Sequence, residues 1–261
     1  MKWFVNCDWS FEKCHSRLRA GISLFVFSLL SLVILSACTD YVSQIDDRYG
    51  EWKKSNDLLG LDPASVIVSS MMDSRNGQTY KTVTIGTQTW MAENLNYETA
   101  NSYCYNDNAA NCTKYGRLYT WAAAMDSAGT WTTNGKGCGY NKTCSPTYPV
   151  RGVCPSGWHL PSKDEWNTLF TAVGGQSTAG KVLKSTSGNG TEAFSFSALL
   201  AGGRNVGGGY YSEGNGALFW SSTAELDSDY VYIMFLNYYY DGANLGYGSK
   251  YFGFSVRCLQ D

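Results

Sequence analysis

The clearest pattern of apolar and polar positions predicts a helix that begins just after Ser162. Four apolar residues recur there at i, i+3, i+4 and i+7 and therefore share one helical face: Trp166, Leu169, Phe170 and Val173. Ser162 and Glu165 form a capping-box pattern, in which each side chain accepts a hydrogen bond from the other residue's backbone N–H. Gly174-Gly175 predicts the end of this helix, because glycine readily adopts the backbone conformation that closes one.

A second apolar face predicts the other main helix, within the stretch from Tyr115 to Met125. Four residues of this stretch share the helical spacing: Leu118, Trp121, Ala122 and Met125.

Period-two alternation predicts the strands. Thr79–Ile85 and Thr87–Met91 are rich in β-branched and aromatic residues and are split by Gly86, so they predict a hairpin. Tyr230–Leu236 is apolar on both faces and is predicted to be a central strand. The other predicted strands are Ala217–Thr223 and the closing strand Phe252–Cys258.

Turn signals set the limits of the predicted domain. Asn76-Gly77 is a turn signal, so order is expected to begin near Asp73. Segments rich in Gly, Asn and Tyr predict two long loops, Arg204–Gly216 and Asn237–Lys250. The pattern as a whole predicts one α+β domain over residues 73–261, with two main helices packed on a mainly antiparallel, twisted sheet.

The N-terminal region reads as a targeting segment. Basic residues precede an apolar run, Gly21 to Leu35, that is too short for a comfortable membrane span. The run closes on Leu35-Ser36-Ala37-Cys38, which resembles the lipobox of bacterial lipoprotein precursors. The resemblance implies a signal peptide over residues 1–37, lipid on Cys38 and an acylated tether over residues 38–72. The expected location is the bacterial cell envelope, at the outer membrane or cell surface; the alternative is an uncleaved signal anchor or a buried helix.

The cysteine count fits an exported chain. Cys7 and Cys14 leave with the signal peptide and Cys38 carries lipid, so six cysteines remain: Cys104, Cys112, Cys138, Cys144, Cys154 and Cys258. Fifteen pairings are possible. Local spacing favours Cys104–Cys112 and Cys138–Cys144, each stapling a long polar loop, with Cys154–Cys258 closing the domain. Zinc ligation is the rival interpretation, but the sequence has no C-x-x-C and its two histidines are isolated.

Charge and motif content narrow the function classes. Twenty basic and twenty-two acidic residues give a net charge of -2 without a basic stripe, which argues against nucleic-acid binding. No catalytic constellation or phosphate-binding motif is present in the sequence, and no cofactor is expected. Asp227, Asp229 and Asp241 could contribute to a calcium site, although their spacing fits no loop signature. We interpret His159 as a packed imidazole and the hydroxyls of Ser221 and Ser222 as structural.

Two tyrosine-rich loops are the candidate recognition surface. Tyrosine supplies a large, stiff, amphipathic contact area, and Ser, Gly and Asn supply adaptable hydrogen bonds. The alternative is that these tyrosines are ordinary strand residues that face the core or one another. The candidate ligand-binding residues are Tyr210, Tyr211, Trp220, Tyr238, Tyr239 and Tyr240.

Several segments, in order along the chain, resemble the Fibrobacter succinogenes major paralogous domain. They include Thr89–Leu95, Tyr115–Trp121, Val153–Pro161, Phe219–Thr223 and Phe254–Cys258. The similarity runs from about residue 73 to the end. It implies an exported or surface protein, often a lipoprotein, and specifies no biochemical role.

A more distant similarity concerns the fold. Leu160–Trp166 and the Gly253–Arg257 segment are similar to the formylglycine-generating-enzyme and C-type lectin-like folds. This similarity implies a C-type lectin-like arrangement with its ends side by side. The oxidation cysteines of those enzymes and the calcium signatures of those lectins are missing, so neither mechanism carries over.

The leading hypothesis is a non-catalytic, lipid-anchored envelope protein that binds a polysaccharide or another surface protein through its tyrosine-rich loops. One alternative is a purely structural envelope component. The other is an enzyme whose acid–base pair is assembled only by folding, from carboxylates such as Glu93, Asp164, Glu165 and Asp241.

Overall fold

The computed structural model describes residues 60–225 and 229–261, and within them two mainly antiparallel sheets both contribute residues to each of two hydrophobic core clusters. The strands are β1 (Ile67–Asp73), β2 (Gln78–Ile85), β3 (Gln88–Met91), β4 (Ser102–Tyr103), β5 (Leu118–Thr120), β6 (Trp158–His159), β7 (Ala201–Arg204), β8 (Tyr210–Glu213), β9 (Gly216–Ala224), β10 (Tyr230–Asn237), β11 (Ala243–Ser249), β12 (Gly253–Phe254) and β13 (Leu259–Gln260). The helices are α1 (Ala109–Tyr115), α2 (Trp121–Ala124), α3 (Lys163–Ala172) and α4 (Gln176–Leu183). The chain is therefore a mixed α+β protein, as its pattern predicts.

The signal peptide, Cys38 and the part of the tether before residue 60 lie outside the described residues, as do Cys7, Cys14 and Asp227. Among the residues that the structure describes, no helix combines the length and the apolar character needed to cross a bilayer.

The first sheet has the order β1-β2-β3-β13-β6. The predicted β2–β3 hairpin is confirmed, with Ile85 opposite Gln88 across the tight turn at Gly86, whose φ is +62°. The prediction that order begins near Asp73 is wrong, because β1 starts at Ile67 and pairs with β2 along its whole length. This strand was missed because most of its side chains are exposed, so it lacks the alternation of a half-buried strand.

The second sheet has the order β11-β10-β9-β7-β12-β5-β4, with β8 paired to β7. β10 lies between β9 and β11, which confirms the central strand read from its apolar faces. The two predicted long loops need correction, because each contains a strand: β8 in the first and β11 in the second. β11 carries two glycines and an asparagine, so its extended conformation depends on pairing with β10 rather than on local preference.

Helix α3 forms as predicted. Ser162 is its N-cap, the Glu165 carboxylate accepts from the Ser162 N–H at 2.7 Å, and both halves of the capping box are present. The second predicted helix is largely wrong: Leu118 lies in β5, and only the single turn of α2 follows. Among the described residues, the second longest helix is instead α4, which follows α3 directly through Gly174-Gly175.

The segment that contains the predicted closing strand, and continues two residues beyond it, contributes one short strand to each sheet. β12 pairs with β5 and β7 of the second sheet, and Ser255 bridges to Phe219 of β9. β13 then pairs with β3 and β6 of the first sheet. A single continuous strand would serve one sheet only, whereas this segment joins both.

The part of the chain that the structure describes contains three disulfides, in the pairing that local spacing favours: Cys104–Cys112, Cys138–Cys144 and Cys154–Cys258. The first two close short loops, with separations of 8 and 6 residues, whereas the third joins residues 104 apart. The long bridge ties the entry to β6 to the segment between β12 and β13.

An arginine lies at the centre of the aromatic core. Arg257 is fully buried beside the ring of Phe196, at 4.7 Å from its centre, and it donates to the Asn94 side chain at 2.7 Å and to backbone carbonyls including that of Ser197. Burial lowers the pKa of Arg257 to about 9, partly offset by Glu93. Because its donors are satisfied by neutral oxygens, the guanidinium is held without a carboxylate at bonding distance.

Candidate binding site

Three of the candidate tyrosines occupy the turn between β10 and β11, which we call the tyrosine turn (residues 238–242). The exposed fractions of Tyr238, Tyr239 and Tyr240 are 36%, 74% and 66%. The rings of Tyr238 and Tyr239 pack edge to face, with their centres 5.2 Å apart. Large exposed aromatic side chains on a short turn are the kind of surface that recognition loops present to a ligand.

A buried lysine fixes the backbone of the tyrosine turn. Lys184, at the C-terminus of α4, is fully buried, and its Nζ donates to the carbonyl oxygens of Asn237, Tyr238 and Tyr240 at 2.7, 3.3 and 2.9 Å. An ammonium has three donors and no acceptor, so these three carbonyls satisfy it completely. Burial lowers the pKa of Lys184, partly offset by Asp241.

Further hydrogen bonds hold the turn from its sides. The Tyr238 N–H donates to the Asn215 carbonyl at 2.9 Å, and the Asn189 side chain donates to the Tyr238 carbonyl at 3.1 Å. The Tyr239 N–H donates to the side chain of Asn237 at 2.8 Å. The turn is therefore fixed through its backbone, and its rings are left free for an external contact.

Tyr210 and Tyr211 lie elsewhere, in β8, and both are half-buried. The Tyr210 hydroxyl donates to Asp107 at 2.5 Å, and its ring lies 5.1 Å from that of Tyr105. Burial, followed by the hydrogen bond to Asp107, raises the pKa of Tyr210, and burial raises that of Tyr211 to about 12. Both tyrosines face neighbours in the fold, so they do not join the tyrosine turn in one surface.

Trp220 is wrongly predicted as a ligand-binding residue. Its side chain is 0% exposed, and its indole N–H donates to the Tyr119 carbonyl at 2.6 Å. Its ring packs against Phe254 with the centres 4.5 Å apart. The residue belongs to the core, because β9 is buried on both faces from Gly216 to Ser222.

His159 is held between two carboxylates. Its Nδ1 lies 2.7 Å from Asp261 and its Nε2 lies 2.9 Å from Glu165, which fits the expectation of a packed imidazole. Burial alone would lower the pKa of His159, but these hydrogen bonds outweigh it and the pKa is raised. Burial would raise the pKa of Glu165, but its bonds to His159 and Ser162 lower it. The ion pair therefore stabilises the fold most between the unfolded pKa values of Glu, about 4.3, and His, about 6.5.

The carboxylates considered for an acid–base pair make their contacts with different groups. Glu93 accepts from the Lys81 N–H, Glu165 is bound to His159, and Asp241 lies 3.9 Å from Lys181. The exposed Asp164 occupies the first turn of α3. No hydrogen bond or shared partner joins any two of these four within the described residues.

The two described aspartates considered for a calcium site lie in different places. Asp229 immediately precedes β10, whereas Asp241 lies in the tyrosine turn after it. The length of β10 separates the two residues, so they do not share a site. Across residues 60–225 and 229–261, no group of three or more His, Cys, Asp or Glu side chains is arranged to hold a metal ion.

Comparison with protein families gives one match, to the Fibrobacter succinogenes major domain, over residues 83–260. The chain belongs to this family. Comparisons with curated proteins and with solved structures found no match. The matched region of the Fibrobacter domain includes all three disulfides, the closing segment and the tyrosine turn.

Within the Fibrobacter domain, Lys184 is the residue that sequence reasoning missed. It follows two apolar residues in a stretch without a clear role, and its acceptors lie more than fifty positions later in the chain. A lysine among apolar neighbours is the available signal, because a buried lysine needs partners for all three donors. The pattern does not indicate which carbonyls those partners are.

Proposed function

We propose that this protein is a non-catalytic, lipid-anchored component of the bacterial cell envelope that binds a polysaccharide, or another surface protein, through its tyrosine turn. The observation that supports this proposal is the turn itself, in which a buried ammonium binds three carbonyls while the rings of Tyr239 and Tyr240 face outward. A turn fixed in advance loses little conformational freedom on binding, so more of its contact energy contributes to affinity.

The chemistry of the turn favours a saccharide. A tyrosine ring can stack on the apolar face of a sugar, while its hydroxyl exchanges hydrogen bonds with the sugar's own hydroxyls. The neighbouring Asp241 and Asn189 add an acceptor and an amide close to the rings. An envelope protein surface could offer the same groups, so the experiment includes both ligands.

The cellular location and the finer fold class are also part of the proposal. The lipobox at Leu35–Cys38 supports attachment through lipid on Cys38, and the three disulfides are typical of an oxidising compartment outside the cytoplasm. Two acyl chains or more give stable membrane attachment where one does not. We further propose a C-type lectin-like arrangement, supported by the long disulfide that brings distant parts of the chain together.

A glycan array and a pull-down from envelope extracts test the binding function. The double variant Tyr239→Ser/Tyr240→Ser should lose the ligand, whereas Tyr247→Ser should keep it. Tyr247 is a matched control, because it is 51% exposed on the same hairpin but lies in β11, outside the turn. Equal binding by the double variant would remove the turn from the proposal, and absence of any ligand would favour the structural role. The anchor is tested by Cys38→Ala, which should release the protein from the membrane fraction.

A further inference from the structure

A cleft lies at the end of the β10–β11 hairpin opposite the tyrosine turn. This cleft has a volume of about 490 Å³ and is bounded by the Cys138–Cys144 loop and by residues at the ends of β9, β10 and β11. Its volume is within the range of small-molecule sites in proteins. The strand rise of 3.3 Å per residue places it roughly 25 Å from the tyrosine turn. The two sites are therefore separate.

Lys250 lines this cleft and is 5% exposed. Its backbone is fixed, because its N–H donates to the Asp229 carbonyl at 2.9 Å and its carbonyl accepts from the Trp121 N–H at 3.3 Å. Its ammonium lies 5.1 Å from the centre of the Trp121 ring. Among the described residues, this ammonium has neither a hydrogen-bond acceptor nor an ion-pair partner.

The side chain of Lys250 is largely buried while its ammonium opens to the cleft, where among the described residues it has no acceptor and only solvent or a ligand can supply one. The missing acceptor can come from a ligand that enters the cleft. A carboxylate is the strongest candidate, since it forms a short, charge-assisted hydrogen bond with an ammonium.

The remaining lining of the cleft favours a polyhydroxylated ligand. Asn141 and Ser145 supply neutral polar groups, and Glu225 and Asp229 supply carboxylates that can accept from hydroxyl groups. The half-exposed ring of Tyr148 offers a face on which a sugar can stack. An acidic peptide such as oligoglutamate offers carboxylates but no hydroxyl groups for Glu225 and Asp229 to accept from, so a sugar that carries a carboxylate fits the lining better.

We propose that this cleft binds a hexuronic acid unit of a saccharide, with the Lys250 ammonium donating to the sugar carboxylate. The hydroxyls of the sugar would donate to Glu225 and Asp229, and its ring would lie against Tyr148. This binding site is independent of the tyrosine turn and does not require the turn to bind anything.

Calorimetric titration of the full chain with digalacturonate, and with its methyl ester as the uncharged match, tests the proposal. The wild type should bind the acid at least about tenfold more tightly than the ester. Lys250→Met should abolish this preference, whereas Lys250→Arg should retain part of it because the cation is kept. Lys136→Met is the matched control, since Lys136 is an exposed lysine that does not line the cleft. It should keep the preference.

Several results would overturn the proposal: equal affinity for acid and ester, undiminished preference in Lys250→Met, or no binding of either sugar. Binding of an oligoglutamate peptide as tight as that of digalacturonate would also overturn it, because the site would then select carboxylates regardless of the sugar. Near-ultraviolet circular dichroism verifies that Lys250→Met is folded. Tyr239→Ser/Tyr240→Ser should leave the titration unchanged, so failure at the turn and failure at the cleft are distinguishable.

Discussion

A buried lysine lies near each end of the β10–β11 hairpin, and the two lysines differ in whether their ammonium groups have hydrogen-bond acceptors. At the turn end, the ammonium of Lys184 is fully used by three backbone carbonyls. At the cleft end, the ammonium of Lys250 has only the face of Trp121 beside it within the described residues. Burial lowers the pKa of both groups, so burial does not distinguish them. The number of satisfied N–H donors does distinguish them. It indicates a structural role for Lys184 and supports the binding role that we propose for Lys250.

The largest effect should follow from Lys184→Met. Removing the ammonium breaks three hydrogen bonds to backbone carbonyls, of which only that of Tyr238 keeps a side-chain donor, Asn189, and the loss should be about 3 kcal/mol in the free energy of unfolding. Urea denaturation measures it, and hydrogen exchange should show faster exchange at residues 238–242. Lys181→Met is the control, because Lys181 on the same helix is partly exposed and its ammonium makes one hydrogen bond, to the Asn189 carbonyl at 3.2 Å, and a long ion pair with Asp241. A loss no greater than that of the control would mean that the ammonium does not organise the turn.

Removing the Cys138–Cys144 disulfide, at the cleft end of the hairpin, should have a smaller effect on the free energy of unfolding. Cys138→Ala/Cys144→Ala removes a bridge that closes a short loop, and the chain-entropy model gives a loss of about 2 kcal/mol. Hydrogen exchange should accelerate at residues 139–146 and stay unchanged in the tyrosine turn. Cys104→Ala/Cys112→Ala removes a staple of similar length and should cost a similar amount without accelerating exchange around the cleft. Faster exchange at the turn in the first variant would show that the two ends of the hairpin are coupled.

The smallest effect should have the opposite sign. Lys250→Met replaces a largely buried side chain, whose cation has no protein acceptor among the described residues, by an apolar side chain of similar length and should stabilise the fold by about 1 kcal/mol. Because burial lowers the pKa of Lys250 from 10.5, with Asp229 partly offsetting the shift, the unfolded chain binds more protons than the folded chain between the folded pKa and 10.5. Wild-type stability from this group should therefore rise with pH across that window, and the advantage of the variant should shrink. A destabilised Lys250→Met variant would contradict the comparison.

Local patterns predicted those elements whose stability is local. Helix α3 was readable because its cap and apolar face lie within a dozen residues, and the β2–β3 hairpin because Gly86 divides two alternating runs. β8 and β11 were assigned to loops, although each forms a hairpin with the preceding strand, because their sequences lack the alternation of a half-buried strand. The β5 segment was misassigned because it is extended through its pairing with the distant β12. A sequence pattern contains side-chain preferences but does not contain these pairings.

The candidate site was predictable in part for the same reason. Composition identified Tyr238–Tyr240, and the structure exposes them, whereas Trp220 has the same chemical character but faces inward along β9. The two lysines were invisible, because their roles depend on which carbonyls and which cleft surround them after folding. Residue type therefore indicated a candidate recognition surface. Which of the candidate residues can contact a ligand depends on the residues that surround them after folding.

The closing segment has a consequence for how this protein tolerates truncation. Because Gly253–Gln260 joins both sheets and follows the other described elements of the domain, neither sheet is complete until this segment is in place. A copy clipped before β12 would therefore be unable to hold its two sheets together.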